Sequence, residues 1–585
     1  MSYKINDIYQ GGISSFKPDY GDIFTGYHVS ARQLGAPTKI DDVNQMNQVN
    51  MLLNQGIVPI EVGVLKPKDF ESIPTEMFKE INRKAKLAGA KISVHAPIIE
   101  ASGIGEQGYD EVSRHLAEKQ LMSVVDRTAP MNEKGGMSIT VHSSGLPGTQ
   151  YKMTPKGKEK TRIVVVDRST GKLTTAFKPE ETYYPSREGE VEIETPEQQV
   201  EKINSSQWDN ELSQLIHYKE NADKIITQNL PLIPEETLKK LMQKKLKYSD
   251  LDPVQRQAFS HIKNAETYLS DAQKKATGLF DKAFKLAKTE DERKKLIEVS
   301  KEYNKVVKQN PTIQGHADGV QALIRDLSEI QPQLYEDVED YALEHSAKTF
   351  GNVAFHAFEK YKDKAPVINI ENFMGSESAF SMGDELSKLI KESRNKFVEN
   401  AVKKGYSESE AKEHAEKTIG VTLDVGHLNV AKKHGFKDED LLKEVAKISK
   451  DVKHVHLTDN FGSEDVHLVP GQGNVPTKEI LKKLSDAGFK GTQVVEAAPG
   501  GVQLLGSKTF SKILEAMGSP VFANSQTPYW NQSLGLYQGY SGDFGHMLPQ
   551  LNYETFGAGF SQLPKELGGQ RQSSAGSRMS GRPME

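Results

Sequence analysis

Nine residues of the types that hold metal ions through nitrogen and oxygen lie in seven short stretches of this chain. In order, the first four stretches are Ser93-Val94-His95-Ala96-Pro97, Thr140-Val141-His142-Ser143-Ser144-Gly145, Ile368-Asn369-Ile370-Glu371-Asn372 and Leu423-Asp424-Val425-Gly426-His427. His456-Leu457-Thr458-Asp459, Asp465-Val466-His467 and Val494-Val495-Glu496 complete the series. They supply five imidazoles (His95, His142, His427, His456, His467) and four carboxylates (Glu371, Asp424, Asp465, Glu496). This donor set suits Zn²⁺, Mn²⁺ or Fe²⁺. Carboxylates can bridge two ions while imidazoles bind terminally, so the mixture fits a site of several ions. Such a cluster brings the pKa of a bridging water near neutrality and stabilises the attacking and leaving oxygens of a displacement at phosphorus.

The joint pattern outweighs its parts. A lone His at a strand end is usually a packed or solvated histidine, and Asp424-x-x-His427 alone is a common spacing. His456 followed by Asp465-x-His467 and Gly471-x-Gly473 is more specific. Gathering four acids and five imidazoles without cations would cost several kcal/mol for each unpaired buried charge. His454, two residues before His456, shares its strand face one layer deeper and reads as an interior or supporting residue. Asp459 is expected to orient a ligand. His28 fits either a structural role or the vicinity of the site. Gly471 and Gly473 precede no helix that would make them a phosphate cradle, and read as a tight turn.

The elements that must position these residues follow from the apolar pattern. Strands are expected at 25–30, 57–65, 91–95, 138–142, 367–371, 420–424, 452–457 and 492–496, with helices at 75–87, 109–127, 439–448 and 477–487. Eight mostly apolar strands separated by helices imply an α/β fold with a parallel sheet buried on both faces, closed into a (β/α)₈ TIM barrel. Function in that fold collects at the C-terminal ends of the strands, where the nine residues lie. Residues 25–146 and 350–518 together make roughly 290, near the typical barrel length of about 250.

The remainder is a large, mainly helical insertion after strand 4, expected to overhang the site. The chain then divides into 1–146 (strands 1–4), 147–333 (insertion), 334–518 (strands 5–8) and 519–585, an irregular, partly disordered C-terminal tail. Within the insertion, 162–177 reads as a β-hairpin about Ser169-Thr170-Gly171-Lys172, and 195–320 as charged helices. Acids lie among the Lys and Arg residues there, so a solvated helix face is the simpler reading than a DNA-binding one. A helix over 334–362 leads into strand 5, and 388–417 reads as a smaller helical addition after it. Aromatics of the tail, such as Trp530 and Phe544, are expected to pack on the barrel.

Bulk composition narrows the classes further. The chain has 585 residues and no cysteine, which excludes disulfides and thiolate-held zinc. A net charge of −5 gives no general electrostatic footprint for nucleic acid, though a local groove remains compatible with it. Met1-Ser2-Tyr3-Lys4-Ile5-Asn6-Asp7 lacks the apolar core of a secretory signal, and no apolar run nears the roughly 20 residues that span a bilayer. A soluble cytoplasmic protein without membrane contact is expected, of undetermined oligomeric state.

Three motifs carry a family resemblance. Gly26-Tyr27-His28-Val29-Ser30-Ala31, Lys66-Pro67-Lys68-Asp69-Phe70 and His467-Leu468-Val469-Pro470-Gly471-Gln472-Gly473-Asn474-Val475 resemble elements of the endonuclease IV family. These are the apurinic/apyrimidinic-site nucleases within the xylose-isomerase-like barrel superfamily, and the resemblance covers about half of the chain. It implies three zinc ions: His95, His142 and Glu371 on the first, Glu371, Asp424, His456 and Glu496 on the second, and His427, Asp465 and His467 on the third. It also implies hydrolysis of a phosphodiester 5′ to an abasic site in DNA, with a metal-bridging hydroxide as nucleophile and Glu371, Asp424 and Glu496 as the catalytic carboxylates. Two departures touch substrate reading: Ile98 stands where the family has Tyr, and the insertion replaces the fourth loop.

Two other classes stay open. A sugar isomerase or epimerase of the same superfamily needs one ion, for which Glu371, Asp424, His456 and Glu496 suffice. A non-catalytic metal-binding barrel would serve a partner instead.

Overall fold

Short β-branched runs flanked by amphipathic helices close into one ring in the computed structural model, which describes residues 33–54, 57–183, 190–242, 245–310, 312–373 and 377–497. The eight barrel strands are β1 (Leu34–Pro37), β2 (Pro59–Gly63), β3 (Lys91–His95), β4 (Ser138–His142), β5 (Val367–Glu371), β6 (Ile419–Asp424), β7 (Val452–Leu457) and β8 (Thr492–Val495). All neighbouring pairs are parallel, and β1 pairs with both β2 and β8, so the sheet has no free edge. The (β/α)₈ TIM barrel is therefore the fold, with the long insertion between β4 and β5.

The first strand differs from expectation. Residues 25–30 lie outside the described residues, and Leu34–Pro37 occupies the first place in the barrel. Its sequence, Leu-Gly-Ala-Pro, has no β-branched residue to announce a strand. Packing explains the choice: a Cβ on Gly35 would stand 2.5 Å from the Pro59 carbonyl oxygen, so only glycine lets β1 lie so close to β2.

Alternation divides each strand between two environments. Ile60, Val62, Val94, Ile139, Val141, Ile368, Ile370, Val421, Leu423, Val455 and Leu457 join the main apolar core under the helices. Burying each such side chain contributes roughly 1.5–3 kcal/mol. The intervening Glu61, Ser93, Thr140, Thr422 and His454 are buried polar residues joined by hydrogen bonds across the barrel interior. The strands are thus apolar outward and polar inward, rather than apolar throughout.

Helices Thr75–Ala88, Glu111–Thr128, Asp438–Ile448 and Thr477–Asp486 fall where the sequence pattern puts them. The helical segment after β5 forms two helices, Gly383–Lys403 and Glu408–Thr418. Leu386, Leu389, Ile390, Phe397 and Ala411 of this pair belong to the main core, so the segment is part of the barrel's own cover and not an addition.

The insertion starts with the strands Gln150–Thr154, Gly157–Asp167 and Lys172–Phe177, including the expected hairpin, and continues into helices such as Pro196–Asn229, Pro253–Leu286 and Glu290–Gln309. Val164 and Val166 anchor the sheet in the barrel core, while Trp208 heads a separate helical core and donates its indole N–H to the Leu327 carbonyl at 3.0 Å. The helix into β5 begins at Val338; Tyr335–Asp337 before it forms a strand of the insertion's sheet, antiparallel to Val165–Asp167. Among the described residues, no helix is long and apolar enough to cross a membrane. The tail at 519–585, and with it Trp530 and Phe544, lies outside the described residues.

Candidate metal centre

All nine residues singled out by sequence meet at the C-terminal rim of the barrel. His95, His142, Glu371 and Asp424 are the last residues of β3, β4, β5 and β6, His456 is the penultimate residue of β7, and Glu496 follows β8. Strand register sets the rim level, because Glu371 pairs with His142 and Asp424 with His456.

Five sets of donor atoms lie within 4.8 Å of one another among the described residues, and three of them together hold all nine residues: His95, His142 and Glu371; Glu371, Asp424, His456 and Glu496; and His427, Asp465 and His467. These three are the groups the family resemblance implies. Glu371 joins the first two, with Oε1 2.7 Å from His456 Nδ1 and Oε2 3.4 Å from His95 Nε2. Asp424 joins the second to the third, its Oδ2 lying 3.8 Å from His427 Nε2.

Local hydrogen bonds aim the imidazoles inward. His427 Nδ1 donates to the Asn372 carbonyl at 2.8 Å, leaving Nε2 facing Asp465 at 3.2 Å. His467 Nδ1 donates to the Glu496 carbonyl at 3.1 Å, and His95 Nδ1 to the Ala96 carbonyl at 2.9 Å. Each of these rings spends one nitrogen outside the cluster and turns the other into it, as a metal-ligating histidine requires. Asp424 divides its oxygens in the same way: Oδ1 accepts from the Gly426 and His427 backbone N–H groups and from Thr458, and Oδ2 has no hydrogen-bond partner.

The fit to cations rests on these orphans. His142 Nδ1, Glu371 Oε2, Asp424 Oδ2 and Asp465 Oδ1 are buried without hydrogen-bond partners, and all four belong to the candidate ligands. A buried carboxylate oxygen left bare is costly, and a cation at each group removes that cost.

The charges respond to their neighbours. Burial opposes protonation of His95, but the adjacent Glu371 outweighs it and lifts the imidazole to about 9. His427 rises to about 10 against its burial, through Asp424 and Asp465, and His467 to about 9 through Asp465 and Asp424. Burial instead holds His142 down to about 3, aided by repulsion from His95. Burial pushes the Glu371 carboxyl up, yet His456 and His95 hold it well below the usual carboxylate range.

Loops hold the third group in place. Asp459 accepts from the backbone N–H groups of Asn460, Gly471 and Val475, pinning the ends of the loop that carries Asp465 and His467. Its contacts are thus to the backbone of this loop, and it makes none to the side chains of Asp465 or His467 among its hydrogen bonds. Gly471 has φ +93°, as the expected turn demands, and His467 itself takes φ +45°, a strained conformation for a non-glycine residue. At the mouth, Ile98 is 40 % exposed and donates its backbone N–H to the Leu65 carbonyl.

One residue escapes a reading of the sequence. Glu61 in β2 is fully buried below the rim and touches both His454 and His456. The available cue is an acid between Ile60 and Val62 in an otherwise apolar strand. His28 lies outside the described residues.

Comparison with known proteins agrees with the class this fold and site define. Residues 384–509, which carry Asp424, His427, His456, Asp465, His467 and Glu496, match the family model of the xylose isomerase-like TIM barrel. An uncharacterized protein of Methanocaldococcus jannaschii is 35% identical over 80 residues, 14% of this chain and 26% of that protein. The fructoselysine 3-epimerase of Shigella flexneri is 31% identical over 58 residues, 10% of this chain and 21% of that enzyme. The chain thus spans about a quarter of the length of the curated relatives it matches. Among solved structures, a D-tagatose 3-epimerase-like protein is similar at 13% identity and a TM-score of 0.37, covering 84% of this chain and 99% of that one. The enzyme named among these curated relatives is a sugar epimerase, which corresponds to the isomerase alternative and not to endonuclease IV.

Proposed function

We propose that the chain is a metal-dependent phosphodiesterase that holds three divalent ions, zinc foremost, in its nine rim residues. The observation that carries this reading is the third group. His427, Asp465 and His467 converge within 4.8 Å beside a complete four-residue site, and a one-ion enzyme has no use for them. Divalent ions bound there supply a water of lowered pKa and neutralise charge on a phosphoryl group.

The chain's own residues define the rest. Glu371 and Asp424 tie the three groups into one cluster, and their unpartnered oxygens face the space where ions belong. Glu371, Asp424, Asp465 and Glu496 set the negative charge of the site, and the imidazoles complete it without adding more. Abasic duplex DNA is the substrate to test first, on the sequence resemblance alone.

A second reading, a sugar epimerase, is favoured by the local similarity to fructoselysine 3-epimerase and by the four-residue group, which suffices for one ion. The discriminating experiment pairs elemental analysis with three assays: a bis-aryl phosphate, a duplex with one abasic site, and epimerisation of ketoses. About three ions per chain, with hydrolysis lost in His427→Ala, supports the phosphodiesterase. One ion per chain and a ketose turnover unchanged in His427→Ala establishes the epimerase instead. Cleavage of neither duplex nor bis-aryl phosphate by metal-replete protein overturns the proposal.

A further inference from the structure

The interior of the barrel holds a carboxylate that none of the three groups needs. Glu61 lies at the middle of β2 with no exposed surface, one layer beneath the rim. Its Oε1 stands 2.9 Å from His456 Nε2, and its Oε2 stands 2.7 Å from His454 Nε2. Ser93 adds a third donor, its hydroxyl 2.8 Å from Oε2.

A carboxylate oxygen accepts, so the two Nε2 atoms within hydrogen-bond distance of Glu61 are the ones that carry hydrogen. The consequence for His456 is a fixed ring. With Nε2 donating downward to Glu61, Nδ1 is the nitrogen that faces Glu371, Asp424 and Glu496. His454 is held similarly, since Thr492 Oγ1 meets its Nδ1 at 2.8 Å. His454 therefore serves as a brace for Glu61: it occupies the second oxygen and prevents the carboxylate from turning away from His456.

Glu61, His454 and His456 also lie close enough together to resemble a metal group of their own. Their hydrogen bonds argue against it. Neither Glu61 oxygen is among the buried atoms lacking a partner, whereas Glu371 Oε2 and Asp424 Oδ2 in the adjoining group are. The lower trio is saturated and the upper group is not.

We infer that Glu61 is a positioning residue, which sets the tautomer and rotation of His456 so that Nδ1 is presented to the cation of the Glu371–Asp424–His456–Glu496 group. The inference rests on the metal reading, but it holds for hydrolase and epimerase alike, since both use that group.

The test is titration of metal-stripped full-length protein with Co²⁺, reading affinity calorimetrically and the visible spectrum of each bound ion. In Glu61→Ala, one ion binds about 10–100-fold more weakly with an altered spectrum, while the remaining sites keep their wild-type affinity. Glu61→Gln keeps one acceptor oxygen for His456, and His454 can take its amide N–H by changing tautomer against Thr492. The conservative variant therefore recovers most of the affinity. An affinity unchanged within twofold in Glu61→Ala overturns the inference, as does equal weakening of every site, which marks Glu61 as merely structural. Should Glu61→Ala fail to fold, Glu61→Leu and Glu61→Gln carry the same comparison. A wild-type protein that takes up no Co²⁺ refutes the metal reading itself, a result distinct from either of these.

Discussion

Asp424 accepts the backbone N–H of His427 at 2.9 Å, so the acid that ends β6 also caps the helical turn carrying the next imidazole. One side chain thereby divides its two oxygens: Oδ1 builds the turn, and Oδ2 is left unpartnered among the candidate ligands. The two roles separate by mutation. Asp424→Asn retains an oxygen for the cap and loses the charge, whereas Asp424→Ala loses both. We expect Asn to weaken metal binding by at least about tenfold with near-wild-type stability of the metal-free protein. Ala should cost a further ~1 kcal/mol of stability, from the missing cap. Equal melting temperatures for the two metal-free variants would refute the division.

Metal binding should strengthen as pH rises. Without ions, nearby carboxylates hold His95 at about 9, His427 at about 10 and His467 at about 9. These folded-state values lie above the ordinary histidine value of about 6.5. The stability they lend the metal-free protein is thus complete below that value and is lost as pH climbs through 9 to 10. A cation needs the same nitrogens unprotonated, so the two effects oppose each other. Thermal melts with and without Zn²⁺ between pH 6 and 9 should show the metal-dependent increment growing with pH. An increment independent of pH would remove these histidines from the binding site.

The rim is more legible in the sequence than the layer beneath it. His95, His142, Glu371, Asp424 and Glu496 stand out because all five end short strand-like runs, and it is their joint recurrence, not any one of them, that a structural role does not explain. Glu61 is obscured because its strand looks apolar throughout, when alternate residues in fact face a polar interior. β1 is hidden for a different reason. Its residues are selected by close approach to Pro59, which favours Gly35, and such packing leaves no periodic hydrophobic signal. The loop of Asp465 and His467 carries its own pattern, but the part Asp459 plays in pinning it depends on backbone donors up to 16 residues away.

Gly473 marks where that loop can be tested. A Cβ at this position would stand 2.3 Å from both the Asn460 carbonyl oxygen and Asp459 Oδ1. The first is backbone and cannot yield cheaply, and the second is the group that anchors Val475. Gly473→Ala should therefore destabilise the protein by about 1–3 kcal/mol. It should also weaken the ion of His427, Asp465 and His467 more than the other two. Metal titration with unchanged affinities at every site would show that Asp459 does not govern the third group.

Glu385 offers a test away from the metal centre, where the insertion meets the barrel. It caps the helix Gly383–Lys403 by accepting the Met382 N–H at 3.2 Å, yet its Oε1 is buried with no hydrogen-bond partner. Burial is the main cause that lifts its carboxyl to about 7, with Asp384 adding to the effect against Lys158. The folded value lies above the unfolded one, so the protonated acid is favoured in the fold, and stability falls as pH rises from about 4.5 through 7. Glutamine keeps the acceptor for Met382 and removes the ionisation. Glu385→Gln should match the wild type near pH 4 and exceed it at pH 8 by on the order of 3 kcal/mol, since each tenfold change in proton affinity between the folded and unfolded chain is worth about 1.4 kcal/mol. Chemical denaturation at the two pH values measures the difference directly. A variant less stable than wild type at pH 8 would mean that the Glu385 carboxylate is compensated by its surroundings, with Lys158 at 4.0 Å the nearest cation to do so.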